Sequence, residues 1–363
     1  MSCLAWVIVA GAAAAAVVLA MLVLRRQPGR TWPLQPHPQV RPREELRVWT
    51  PRIGFVANPS KHDADDVRTR LLAQCEQRGL PQPLWLTTTV DDPGGGQARQ
   101  ALDAGVDVVV AVGGDGTVRA VAKTMVGAPV PMGLVPTGTG NILARNVDVP
   151  VTDVVGALGV VIDGRDADID VGWLRVDRWG THDHPDTHDD ELFLVIAGLG
   201  FDGSMVAATD ANLKARVGWV AYFLAGFRHL HERRRQVQVT RDDGDPQTAK
   251  VRSAMVGNCG RLPGGMTLLP DALLDDGWLD VALIDTRGGL AGWAQLFGEV
   301  VLQGAGMRTV LPAKIGRIDH ARARRIHLEV AGSATLQVDG DIVGDVAALT
   351  TWVAPHALIL RVP

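Results

Sequence analysis

A chain of 363 residues is long enough for one large or two ordinary domains around a sizeable core. Its 36 basic and 40 acidic residues leave a net charge of −4, which excludes the dominant basic field of a nucleic-acid binder. Three cysteines, Cys3, Cys75 and Cys259, are odd in number and lack metal-ligand spacing. They argue against a disulfide framework or a zinc site and fit a reducing compartment.

The first element is "LAWVIVAGAAAAAVVLAMLVL", Leu4 to Leu24, uncharged and followed at once by Arg25 and Arg26. Its length suits a hydrocarbon core of ~30 Å. The absence of a positive segment before it argues against a cleaved signal peptide. The expectation is one transmembrane helix within residues 1–26, with the flanking arginines placing the rest of the chain in the cytoplasm at the cell membrane. A helix that only leans on the bilayer is the alternative. Residues 27–47 are rich in proline and arginine and read as an extended linker near an anionic leaflet.

The folded part opens with a strand at Arg52–Ala57, a helix at Ala64–Arg78, a strand near Pro83–Thr87 and a helix at Gln97–Ala104. Next comes "VDVVVAVGGDGTVRA". Val108–Val112 is an apolar run of the kind buried on both faces of a parallel sheet, and Val118–Met125 reads as a helix. Strand Met132–Val135 then runs into a second glycine-rich turn, "PTGTGN". This alternation predicts an α/β nucleotide-binding domain with a doubly wound parallel sheet over residues 48–168. Short strands separated by Asp/Gly turns follow and predict a β-rich antiparallel domain over 169–342. Two helices interrupt it, "VGWVAYFLAGFRHLHE" and "GLAGWAQLFGEVVLQG". Residues 343–363 read as terminal strands, with a return to the first domain left open.

Three turns stand at strand ends: Asn58–His62, Gly113–Thr117 and Thr137–Asn141. Glycines let backbone N–H groups approach a polyphosphate, and Thr117 and Thr139 add hydroxyl donors. Asp115 within such a turn repels phosphate unless a divalent cation or a hydroxyl donor intervenes, as in a kinase using Mg²⁺. The alternative is a set of tight turns with the aspartate capping a helix. Neither a Walker A sequence nor a dinucleotide fingerprint is present. The loop "WGTHDHPDTHDDE" reads as a solvated hairpin tip and not as a metal site. Trp219, Phe223, Phe227 and Leu230 share one helical face, read as core packing with lipid entry as the alternative.

In this order and spacing, "NPSKH", "GGDGT", "PTGTGN", "GLGFDG", "LKARVGWVAYF", "LLPDALLDDGWLDV" and "VDGD" resemble the diacylglycerol kinase catalytic family. That group of lipid kinases also includes sphingosine and ceramide kinases and bacterial relatives. The resemblance covers residues 50 to 363, and its carboxy-terminal motifs make it specific. It implies ATP and Mg²⁺, with ATP contacts at Asn58, Pro59, Ser60, Lys61, His62, Thr88, Gly113, Gly114, Asp115, Gly116, Thr117, Val118, Arg119 and Thr139. Thr87 and Thr89 compete for the place of Thr88. It further implies a structural Mg²⁺ held by Asp276 with the carbonyls of Leu273 and Trp278, and linked to Lys214. Asp341 takes the position of the catalytic acid, usually the Glu of D-G-E, and Asp170 a position facing the acceptor. This sequence departs from the family at Ala120, where a Glu is expected, and at Ile142, where an Asp is common. Asp341 is also one methylene shorter than Glu, a difference of about 1.5 Å.

The activity implied is phosphorylation of diacylglycerol to phosphatidic acid. Alternatives are a sphingoid-base or other lipid-alcohol kinase, an NAD kinase, and a nucleotide-binding pseudokinase. The expected partners are a membrane lipid and the bilayer, with no nucleic acid; homodimerisation is left open.

Overall fold

The computed structural model describes residues 49–60, 63–180, 189–200, 234–262, 266–286 and 316–363. The expected membrane segment and linker, Lys61, His62, the histidine-rich loop, Lys214 and both helices of the second half lie outside these residues. Among the described residues no helix is long and apolar enough to cross a membrane.

The first half is built on β1 (Ile53–Ala57), β2 (Leu84–Thr87), β3 (Val108–Gly113) and β4 (Met132–Pro136). They pair in parallel in the order β2-β1-β3-β4. Every residue of β1, β3 and β4 is buried, which explains their unbroken apolar runs. Helices α1 (Ala64–Gln77), α2 (Gly95–Asp103), α3 (Asp115–Met125), α4 (Ile142–Asn146) and α5 (Val154–Asp163) fill the connections. They pack α1 against α5 and α2 against α3, as the two layers of a doubly wound sheet require.

Helix α3 buries Thr117, Val118, Val121, Ala122 and Met125, a stripe at helical spacing. It begins at Asp115, three residues before the start expected from Val118. Extended Gly114 precedes it, so the "GDGT" residues already form its first turn. The helix gives out at Val126, and Gly127 follows at φ +74°.

The second half comprises β5 (Arg165–Trp179), β6 (Glu191–Phe193), β7 (Ile196–Leu199), β8 (Arg235–Arg241), β9 (Gln247–Val251), β10 (Ser253–Gly257), β11 (Arg261–Leu262), β12 (Met266–Thr267), β13 (Leu279–Thr286), β14 (Gly316–Ala323), β15 (Arg325–Val338) and β16 (Asp341–Val362). Its pairings are antiparallel, with their own core around Phe193, Leu328, Leu336 and Leu349.

Strand β16 is the seam. It pairs antiparallel with β15 and with β5, and in parallel with β4 where Leu360 stands beside Met132. The two halves therefore share one continuous sheet. Buried Arg361 locks this seam: its guanidinium donates to the carbonyls of Val161, Ile162 and Gly164 at the end of α5, and pairs with Asp166 at 2.7 Å. Those carbonyls have no partner within the helix, so a cation there serves both charge and geometry.

Candidate active site

The two glycine-rich turns meet backbone to backbone. Thr137 N–H donates to the Gly113 carbonyl at 2.9 Å, and a Cβ added at Gly138 would lie 2.6 Å from the Gly114 Cα. No side chain fits between the turns, which is why both carry glycine. Asn141, at φ +47°, closes the second turn on itself: its Oδ1 accepts from Gly138 N–H at 3.0 Å and its Nδ2 donates to the Gly138 carbonyl at 2.8 Å.

Asp115 fastens the pair. Its Oδ2 accepts from Asn141 N–H at 2.8 Å and its Oδ1 from Ile142 N–H at 2.6 Å, so it caps the start of α4 from the other turn. Burial pushes this carboxyl above the ordinary range, while the two N–H groups pull it back and the nearby Asp341 charge raises it further. Asp115 thus caps the helix opened by the other turn and not the one it begins itself. Ile142, where the family often has Asp, contributes through its backbone N–H.

The third turn joins through Asn58, whose Nδ2 donates to Thr117 Oγ1 at 3.3 Å while its Oδ1 accepts from Ser60 N–H at 2.9 Å. Thr117, Val118 and Thr88 are buried, whereas Pro59, Ser60, Gly116 and Thr139 are exposed at the rim. Thr88 does not face the hollow at the strand ends: its N–H donates to the Ala57 carbonyl and its side chain is turned inward. Thr87 lines that hollow instead, with Asn58, Arg68, Trp85, Val112 and Thr137. Alternation along β2, with Trp85 and Thr87 on one face and Leu86 on the other, is the signal that selects Thr87. The Arg68 guanidinium lies 5.4 Å over the Trp85 ring.

Above the first turn stands the hairpin Asp339-Gly340-Asp341, joining β15 to β16. Asp339 is buried, and its carboxylate accepts from Leu194, Val195 and Ile196 N–H, each at 2.9 Å. Burial raises its pKa, and these donors act against that rise. Asp339 and Gly340 take positive φ, +48° and +94°, the tight reversal that glycine permits. The next residue, Asp341, keeps 60 % of its side chain exposed. A methyl group at Gly116 would lie 3.6 Å from Asp341 Oδ2, so this carboxylate sits directly over the glycine turn. Arg119, on α3, pairs with it at 2.6 Å.

The loop before β13 is organised by Asp170. This residue is fully buried: Oδ2 accepts from Gly277 N–H at 2.6 Å and Oδ1 from His356 N–H at 2.8 Å. Burial raises its pKa, and the His356 and Gly277 donors oppose that rise. The expectation that Asp170 faces an acceptor therefore gives way to a role in joining two loops.

Asp276 Oδ1 accepts from Trp278 N–H at 3.1 Å, and its Oδ2 meets the Arg322 guanidinium. Arg322 also approaches Asp280 at 3.4 Å. A structural Mg²⁺ held by Leu273, Asp276 and Trp278 does not fit this arrangement, because a guanidinium supplies the positive charge at the only side-chain ligand. Among the described residues no three His, Cys, Asp or Glu side chains gather as a metal site.

A parallel sheet with glycine turns at its carboxyl ends, a β-rich half folded back over them, and a half-exposed carboxylate above the turns define a two-domain kinase. Residues 52–174 match the diacylglycerol kinase catalytic domain, and residues 195–362 the YegS C-terminal NAD kinase beta sandwich-like domain. A diacylglycerol kinase of Staphylococcus epidermidis is 27 % identical over 302 residues, 82 % of this chain and 88 % of that one. One from Staphylococcus aureus is 26 % identical over 279 residues, 76 % and 81 % of the two chains. A solved Bacillus anthracis structure assigned as a diacylglycerol kinase superposes with a TM-score of 0.67 at 20 % identity, over 87 % of this chain and 99 % of that one. Residues 52–174 are thus a diacylglycerol kinase catalytic domain, and the chain is a lipid kinase.

Proposed function

We propose that the chain transfers the γ-phosphoryl group of MgATP to the free hydroxyl of diacylglycerol, giving phosphatidic acid. The observation that carries this reading is the position of Asp341: a half-exposed carboxylate over Gly116, beside a turn whose own carboxylate is fully engaged. The relatives named diacylglycerol kinase support the choice of lipid.

In this reading the turns at 58–62, 113–117 and 137–141 hold the nucleotide, with Thr87 and Thr139 at its rim. Asp341 accepts the proton of the lipid hydroxyl as that oxygen bonds to the γ-phosphorus and the bond to the β-phosphate oxygen breaks. The half-exposed setting of Asp341 suits an acceptor that arrives from outside the fold. The apolar segment Leu4–Leu24 keeps the enzyme at the bilayer, where such an acceptor resides, with the kinase half on the cytoplasmic side.

The test is transfer from labelled ATP to diacylglycerol, sphingosine, total membrane lipid and NAD in parallel, with the lipids in mixed micelles. Labelled phosphatidic acid is the expected product. Transfer to another lipid alone replaces the acceptor and keeps the chemistry. Transfer to NAD, or nucleotide binding with no transfer at all, overturns the reading.

A further inference from the structure

The Asp339–Asp341 hairpin is held from two sides by different parts of the molecule. On its own half, Asp339 takes three N–H groups from residues 194–196, and Gly340 N–H donates to Gln337 Oε1 at 3.1 Å. These contacts fix the start of the turn and leave the direction of the Asp341 side chain open. The other hold crosses from α3. Arg119 Nη1 donates to the Val338 carbonyl, and Nη2 donates to Asp341 Oδ2 at 2.6 Å. Arg119 is only 20 % exposed where Asp341 is 60 % exposed, so the arginine is the anchored partner of the two. It rises from the helix that begins at Asp115, one turn further on, and so ties the glycine turn to the carboxylate above it.

We propose that Arg119 is the positioning residue for Asp341: it aims the proton-accepting carboxylate over Gly116 and couples it to α3. This rests on the reading of Asp341 given above, and departs from the expectation that Arg119 contacts ATP. Its donors are directed at Val338 and Asp341, across to the second half. The planar guanidinium suits this, since two separate nitrogens reach a carbonyl and a carboxylate in a fixed geometry, where a lysine would bring both to one freely turning ammonium.

The experiment compares wild type, R119Q, R119K, D341N and R119Q/D341N in the full chain, by steady-state transfer to diacylglycerol and by thermal melting without nucleotide. A misaimed base costs about 10²-fold in kcat, while KM for ATP holds within about threefold. R119K recovers only part of the loss, and R119Q/D341N is no slower than D341N. A raised KM for ATP at retained kcat, or losses that multiply in the double variant, overturns the proposal. Wild type without lipid transfer would defeat the proposed function instead. The melting temperatures then decide: non-additive shifts for the two substitutions support the contact, and additive shifts remove it.

Discussion

Two aspartate–glycine turns face each other in this molecule, and they use their carboxylates in opposite ways. In the turn at 113–117, Asp115 is bound by Asn141 and Ile142 N–H and joins two loops. In the turn at 339–341 the labour is divided: Asp339 takes three backbone N–H groups, and Asp341 stays half exposed with an arginine beside it. A carboxylate whose oxygens are taken by backbone donors holds structure, and one left facing solvent can take a proton. In the proposed reading the more conspicuous motif is therefore the scaffold, and the plainer hairpin supplies the proton acceptor.

The largest expected effect follows from removing that half-exposed carboxylate. Asp341→Ala should lower kcat by about 10²–10⁴-fold, the usual range for a general base. Its melting temperature should stay near that of wild type, because an exposed ion pair contributes at most about 1 kcal/mol. A melt that collapses with turnover would make Asp341 a structural residue.

Asp339→Ala should do the reverse in proportion. It strands three buried N–H groups, at about 1–3 kcal/mol for each group left without a partner. A urea titration should show the loss, and turnover should fall because the hairpin no longer holds Asp341. Asp115→Asn comes next. An amide keeps one acceptor but sets an NH₂ against the N–H of Asn141 or Ile142, so about 1–3 kcal/mol of stability is lost. KM for ATP should rise more than kcat falls, since the loosened part is the nucleotide turn.

Acidity gives a smaller, shared effect. Burial raises the pKa of Asp115, Asp170, Asp280 and Asp339. A carboxyl raised on folding binds its proton more readily in the native state than in the unfolded chain. Stability then falls as pH rises from the ordinary aspartate value, about 3.9, through the raised native value. Asp190 and Glu329 work in the other direction, their pKa values lowered by the Arg175 and Arg178 hydrogen bonds. Among the described residues, four raised groups against two lowered ones predict a melting temperature at pH 5 no lower than at pH 7, and a clear fall on acidification would contradict these burials. The smallest effect concerns Asp276. Because Arg322 already meets it, EDTA without nucleotide should leave the melting temperature unchanged; a fall reversed by Mg²⁺ would restore a metal to this loop.

The parts legible in the sequence are those governed by local pattern. Val108–Val112 reads as a buried strand because a short valine-rich run bounded by turn residues suits one, and the glycines after it mark a close approach. The two-half fold follows from the change of texture after residue 168. Other features were hidden because they depend on residues meeting across the chain. The partners of Asp115 lie 26 and 27 residues away, and those of Asp170 lie 107 and 186 residues away. No spacing rule announces such contacts, so Asp170 was expected at an acceptor and is found joining two loops. Thr88 is buried, and the alternation along β2 sets its neighbour Thr87 on the hollow instead. Asp341 stands out as a candidate only through the family resemblance, since D-G-D by itself is an ordinary hairpin turn.

The most direct test sets the two turns against each other in one assay. Transfer from labelled ATP to diacylglycerol is measured at saturating ATP for wild type, Asp341→Asn and Asp115→Asn, each confirmed folded by its melting curve. The account predicts phosphatidic acid from wild type, retained turnover in Asp115→Asn once ATP saturates, and turnover lost in Asp341→Asn. Full activity in Asp341→Asn, with Asp115→Asn inactive, would move the chemistry to the glycine-rich turn and contradict the account.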